Sequence, residues 1–382
     1  MLIVDGLPIA ELRNRRSAKW RSFPDEVLPL PVAEMDFEIA EPIKAVLMEM
    51  LRNSDTGYLG PIPELAVNFS AFAEKRWGWK VDTAQISNAT DVGVAIVEMA
   101  RMVVKPGDSI VINSPVYHNF SGWIRELKCE IVDAPLKATE LHYELDLAAI
   151  ESAYANGAKI HFLCNPHNPV GTVFSKESLT QLADLALKYK VAIFSDEIHA
   201  PLTFSELAFT PFLSVSEAAK EVGVCFTAAS KSWNLAGLKC AIIVTDSTKW
   251  HEIAMQMPAA VHWRASLFGA VGAATAFECT EWLDAVLVTL DRNRKFLKEE
   301  IDRKLPGVKY RLPDFGYLAW LDLSALNLGE DPTAHILTQA KVALNSGQTF
   351  AAGANQFCRL NFGTSKTIIS EAIDRIAELV KN

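Results

Sequence analysis

The sequence predicts an α/β protein: a mostly parallel sheet flanked by helices, joined to a smaller α+β domain built from both termini. Three observations point there. Short apolar runs alternate with helix-period patterns between residues 86 and 250, and strands separated by helices imply right-handed βαβ crossovers. Past residue 277 the pattern changes to one long helical stretch followed by scattered strand-like runs. The first 45 residues are rich in proline and carry no core of their own. A chain of 382 residues has room for more than one domain. The expected division is 46–276 for the large domain and 1–45 plus 277–382 for the small one.

The elements follow in order. After Thr90, the positions Val92, Ala95, Ile96, Met99 and Val103 fall on one helix face, and Pro106-Gly107 is expected to close that helix. Ser109 to Ile112 reads as a buried strand, as does Lys159 to Leu163. Ser175 is the expected N-cap of a helix with Leu179, Leu182, Ala183 and Ala186 inward. Val191–Ser195, Val224–Thr227 and Cys240–Thr245 are further strands. A helix is expected from about Phe277 to Lys304, then strands at Tyr317–Leu323 and Cys358–Phe362. The closing helix presents Ile369, Ala372, Ile373, Ile376 and Val380.

Composition narrows the function. Hydrophobic residues make up 50% and the formal charge is -9, which argues against a general nucleic-acid binder, since those cluster Lys and Arg on phosphates. The opening MLIVDGLPIAELRNRR puts charges in the wrong order for a signal peptide. The weakly polar stretch from Ala265 to Phe277 is too short to span a bilayer. The six cysteines form no CxxC pair; they read as reduced core thiols of a cytoplasmic protein, with no support for a metal site.

Four segments carry residues out of place for a plain core. Asn165-Pro166-His167-Asn168-Pro169 follows a strand and makes a rigid turn able to aim the Asn168 amide into the sheet crevice; a turn without chemistry is the plainer alternative. Asp196-Glu197 also closes a strand, where a buried acid needs a partner; the alternative is a helix-capping Asp beside an exposed Glu. Lys231 stands among small residues after another strand, where partial desolvation yields a usable amine; the alternative is a surface lysine. Arg359 lies inside an apolar strand and suggests a carboxylate clamp; the alternative is a structural ion pair. In open α/β sheets, chemistry gathers beyond the strands' C-terminal ends, which is where the first three of these fall.

In this order, the sequence resembles fold-type I pyridoxal-phosphate (PLP) enzymes, the aspartate aminotransferase superfamily, which implies a seven-stranded-type sheet in the large domain. It looks most like the branch of cystathionine β-lyases and related cysteine-S-conjugate β-lyases. The marks are Leu28-Pro29-Leu30 with Val32-Ala33-Glu34-Met35-Asp36-Phe37, the CNPHNPVGTVFS run, SDEIHAPL, SKSWNLAGLK and RLNF, spread over nearly the whole chain. The resemblance implies that Lys231 is the catalytic Schiff-base lysine and proton carrier, that Asp196 keeps the pyridine nitrogen protonated, and that Asn168 bonds the ring's phenolic oxygen. His199 stands where aminotransferases usually have tyrosine. Tyr117 corresponds to the stacking aromatic; its plainer reading is a core tyrosine. The phosphate falls to the amides of Asp91 and Val92 at a helix N-terminus, with Ser230 and Lys239. Tyr58 corresponds to a tyrosine that reaches the neighbouring subunit's phosphate, which implies a homodimer with shared sites; otherwise Gly57-Tyr58 is a turn with a packed ring. Arg359, with Asn168, Tyr117 and Ala33, falls on the substrate side.

Three positions depart from the family pattern: Asp91 where glycine is frequent, Lys239 where arginine is, and Pro31 where tryptophan is. The implied reaction is β-elimination from cystathionine or a related S-substituted cysteine, giving a thiol (homocysteine), pyruvate and ammonia. An aminotransferase would share every cofactor contact, and a PLP-binding regulatory protein is a further alternative. No nucleic-acid or membrane partner is implied.

Overall fold

A computed structural model describes residues 2–381. Seven strands form the main sheet: β1 (Ile86–Ala89), β2 (Ser109–Ile112), β3 (Glu130–Asp133), β4 (Ile160–Cys164), β5 (Ala192–Asp196), β6 (Gly223–Thr227) and β7 (Ala241–Val244). Their spatial order is β1-β7-β6-β5-β4-β2-β3. Only β7 runs against its neighbours, β1 and β6; the remaining pairs are parallel. Central β4, β5 and β6 are buried along their whole length, as expected when helices cover both faces.

The two strands without a continuous apolar run, β1 and β3, are the sheet's edges. They carry Ser87, Asn88, Glu130 and Asp133 and are only partly buried, so their sequences lack the signal of the centre. The expected strands are all present, with ends displaced by a residue or two.

A second, antiparallel sheet joins β8 (Lys309–Tyr310), β9 (Leu318–Asp322), β10 (Asn345–Ser346) and β11 (Phe357–Asn361) in the order β8-β9-β11-β10. Near it, Leu28–Pro29 pairs in parallel with Val342–Ala343. Among the described residues no helix is long and apolar enough to cross a membrane.

Three helical expectations need correction. The stretch from Phe277 to Lys304 is two helices, Leu267–Glu278 and Thr280–Lys304. Cys279 leaves the helical conformation between them (ψ 51°), and its carbonyl accepts from Trp233 Nε1 at 3.3 Å. The helix Val92–Arg101 stops before Pro106-Gly107, because the N–H groups of Met102, Val103 and Val104 fold back onto Met99 and Ala100. Val380 is exposed at 40%, near the outer end of the helix Lys366–Lys381, whereas Ile369, Ala372, Ile373 and Ile376 are buried. Ser175 is an N-cap, accepting from Ser178 N at 3.1 Å. All six cysteines are free; Cys279, at the helix junction, is the one that is only half-buried.

Candidate active site

The parallel strands end on one edge, and their following loops open a cleft of 720 Å³. Because β7 runs backwards, the residue entering it, Lys239, reaches the same edge as those leaving β1, β4, β5 and β6. The cleft is lined by Ala33, Asp91, Val92, Tyr117, Asn168, Asp196, His199, Ser230, Lys231, Lys239 and Arg359. Tyr58 is absent from this lining. It is 87% exposed, and its ring lies 6.1 Å from that of Trp263, which is exposed too.

Asp196 is the last residue of β5 and lies in the cleft floor. Burial pushes its carboxyl up to about 7, opposed by the Ile198 N–H and the Lys231 charge. Among the described residues its side chain accepts one hydrogen bond, from Ile198 N at 3.2 Å. A buried acid so thinly supported ionises readily only beside an added cation. Neighbouring Glu197 is buried too, contrary to the exposed acid that an isolated Asp-Glu suggests. It accepts from Phe212 N at 2.8 Å and Ser195 Oγ at 2.9 Å, and burial raises it to about 7.

Lys231 sits in the short helix Ala229–Ser232 after β6. Burial and the Arg359 charge bring its amine down to about 8, while Glu34 and Asp196 pull the other way. Nζ donates to Ala33 O at 3.1 Å, and Tyr317 Oη donates to the same carbonyl at 3.1 Å.

Arg359, in β11, is buried, and among the described residues it has no carboxylate partner. Nη1 donates to Asn168 Oδ1 at 3.0 Å, Nη2 to Pro31 O at 3.0 Å, and Nε has no partner among those residues. The guanidinium lies 4.9 Å from the Phe350 ring centre, and burial lowers its pKa to about 10. A structural ion pair is therefore not its role. A buried fork with spare donors suits an incoming carboxylate. His199 is held near 3 by burial and by the Lys231 and Arg359 charges, and its Nδ1 has no partner among the described residues.

At the other end, Asp91 caps the helix Val92–Arg101. Oδ1 accepts from Val94 N at 2.9 Å, and Oδ2 pairs with Lys239 Nζ at 3.3 Å. The cap and the pair absorb the carboxylate's charge, which leaves the helix's first N–H groups as an anion site. Gly93 is required there: a Cβ would fall 2.7 Å from the Trp123 ring, which also lines the cleft. Tyr117 Oη accepts from Asn119 Nδ2 at 2.6 Å.

The segment 31–36, a wall whose Pro31, Val32 and Ala33 face the cleft, is the main feature that the residue types alone did not reveal. It is neither helix nor strand, yet side chains from remote segments bind its carbonyls. Asn361 Nδ2 reaches Val32 O at 2.6 Å and Glu34 O at 2.7 Å. Asn234 Nδ2 reaches Met35 O at 2.8 Å. Behind the wall, Asp36 forms a fully buried ion pair with Lys19 at 2.7 Å and accepts from Trp20 Nε1 at 2.8 Å. Asn234, Asn361 and Asp36 all lie within motifs that carried the resemblance, but with no role attached to them.

Comparison with known proteins identifies the family. The family model for aminotransferase class I and II matches residues 26–376. The chain is 35% identical to the cystathionine beta-lyase of Corynebacterium glutamicum, over 97% of this chain and 99% of that one. It is 31% identical to cystathionine beta-lyase PatB of Bacillus subtilis, over 96% and 97%. Cystalysin from Treponema denticola, solved with pyridoxal 5'-phosphate, superposes with a TM-score of 0.94 at 27% identity, covering 100% of this chain and 99% of that one.

Proposed function

The chain belongs to the class I and II aminotransferase family, and from that premise we propose that it is a PLP-dependent carbon–sulfur β-lyase acting on cystathionine or a related S-substituted cysteine. The observation that carries this reading is the meeting of Lys231, Asp196 and Arg359 in one cleft, each lacking a full set of partners.

The residues fit the cofactor. Asp196 is a buried acid short of a cation, and His199 Nδ1 and Arg359 Nε are buried atoms without partners. Asp196 would face the ring nitrogen, Asn168 and His199 the ring oxygen, and Tyr117 the ring face. Ser230, Lys239 and the amides at Asp91 and Val92 would take the phosphate. When bound, PLP supplies an electron sink for the pair left on the substrate's Cα.

The chain's own residues do the rest. Lys231 would hold the cofactor through its amine. Arg359 binds the substrate carboxylate and turns the Cα–H bond toward the Lys231 amine. Lys231 takes that proton, the electrons move to form the Cα–Cβ double bond, and the Cβ–S bond breaks with its pair on sulfur. The thiolate takes a proton and leaves as homocysteine or another thiol. The remaining three-carbon fragment hydrolyses to pyruvate and ammonia.

The outward Tyr58 and Trp263 support a homodimer in which Tyr58 completes the partner's phosphate site. Residues 46–276 serve as the cofactor domain, with 1–45 and 277–382 as the smaller one. Free thiols throughout suit the cytoplasm. The test is incubation with cystathionine, measuring pyruvate and free thiol together. Both should appear in equal amounts; amino-group transfer to a 2-oxo acid with no thiol would replace this reading by an aminotransferase.

A further inference from the structure

Lysine carries its amine on a flexible four-carbon stem, so taking one particular proton requires something to aim it. In this cleft the aiming group is a backbone carbonyl. Lys231 Nζ donates to Ala33 O, and one N–H so occupied fixes where the nitrogen lone pair can point. Tyr317 Oη donates to the same carbonyl at 3.1 Å, but Ala33 belongs to the irregular wall 31–36, so the segment around it must be held by a further contact as well.

Asn234 makes that contact. Three residues after Lys231, it has a left-handed backbone (φ 60°), a conformation that asparagine tolerates better than most residues. The bend returns its amide to the wall, where Oδ1 accepts from Met35 N at 3.0 Å and Nδ2 donates to Met35 O at 2.8 Å. The lysine-bearing turn and the wall are thus clasped together two residues from Ala33. At the wall's other end, Arg359 Nη2 binds Pro31 O while Asn361 binds Val32 O and Glu34 O. A single stretch of backbone spans the base and the carboxylate clamp.

We infer that Asn234 is a positioning residue for proton transfer: its two-point clasp on Met35 sets the Ala33 carbonyl against the Lys231 amine. The inference rests on the proposed function only in that Lys231 takes the substrate's Cα proton. It needs no leaving group.

The test therefore uses L-alanine, which has the Cα proton and nothing to eliminate. The holoenzyme is incubated with L-alanine in heavy water, loss of the Cα proton is followed by NMR, and binding is followed by visible absorbance. N234G removes the clasp and keeps the left-handed backbone accessible. It should slow the exchange by about tenfold or more, with L-alanine affinity held within about twofold. N234D retains the acceptor for Met35 N–H and should fall between N234G and wild type. Independently of turnover, amide hydrogen exchange of the full chain should show Met35 losing protection in N234G. Asp36, whose N–H binds Gly363 O at 2.7 Å, should keep it.

Exchange at the wild-type rate in N234G overturns the inference, as does a slowing that comes with equal loss of L-alanine affinity and of Asp36 protection. If N234G does not fold, N234D decides on the same readouts. Failure of thiol release would remove the lyase reading and leave the L-alanine result standing.

Discussion

Arg359 Nη1 and Asn168 Oδ1 lie 3.0 Å apart, so the group assigned to the substrate carboxylate is tied to the group assigned to the cofactor ring. The bond leaves Nε free and fixes the plane of the fork. R359K keeps the charge and loses that plane. With a charge-assisted hydrogen bond contributing about 1.5–3 kcal/mol, kcat/KM for thiol release should fall roughly ten- to a hundredfold. Most of the loss should appear in KM, measured by steady-state kinetics against cystathionine.

The Asp196 carboxyl makes a statement about pH. In the cofactor-free protein it sits near 7, raised by burial from 3.8. Between those values the folded chain holds a proton that the unfolded chain has released, so this group's contribution to stability falls as pH rises through the window and levels off above it. D196N has no proton to lose. It should be more stable than the wild type, by a margin that widens from pH 4 to about 7 and reaches roughly 2–4 kcal/mol. The depressed histidines His161, His167 and His199 act with the opposite sign, but they are common to both proteins and cancel in the difference. Denaturant unfolding at several pH values measures the margin. Added PLP should reverse it, and D196N should lose thiol release by about a hundredfold or more.

Tyr58 gives a test of the shared site. K231A and Y58A should each be nearly inactive alone. Mixed and allowed to exchange subunits, they form hybrids in which one site has an intact lysine from one chain and an intact tyrosine from the other. Random pairing should restore about a quarter of wild-type activity. A mixture as inactive as its components would mean that Tyr58 serves no neighbouring site.

The parts of the site that were legible in the sequence are those where a polar residue breaks an apolar context. Asp196 closes a fully buried strand, Arg359 interrupts another, and Asn168 and Lys231 follow two more. Edge strands β1 and β3 were not legible, because half-buried strands carry no apolar run. Neither was the wall 31–36. Its shape comes from side chains of Lys19, Asn234, Asn345 and Asn361 binding backbone groups far away in the chain, and a side chain bonded to backbone leaves no mark on the identity of the residue it holds. The burial of Glu197 was open in the sequence for a related reason. Its partners are the Phe212 amide and the Ser195 hydroxyl, neither of which advertises an acid.

The wall also bears on how the molecule is assembled. Residues 31–36 precede in the chain the groups that claim their carbonyls, Lys231, Asn345, Arg359 and Asn361. During synthesis this stretch must therefore wait for partners made after it. A chain that has not yet reached β11 lacks the Arg359 guanidinium and the Asn361 amide, which hold Pro31, Val32 and Glu34, and so cannot complete this side of its reaction chamber.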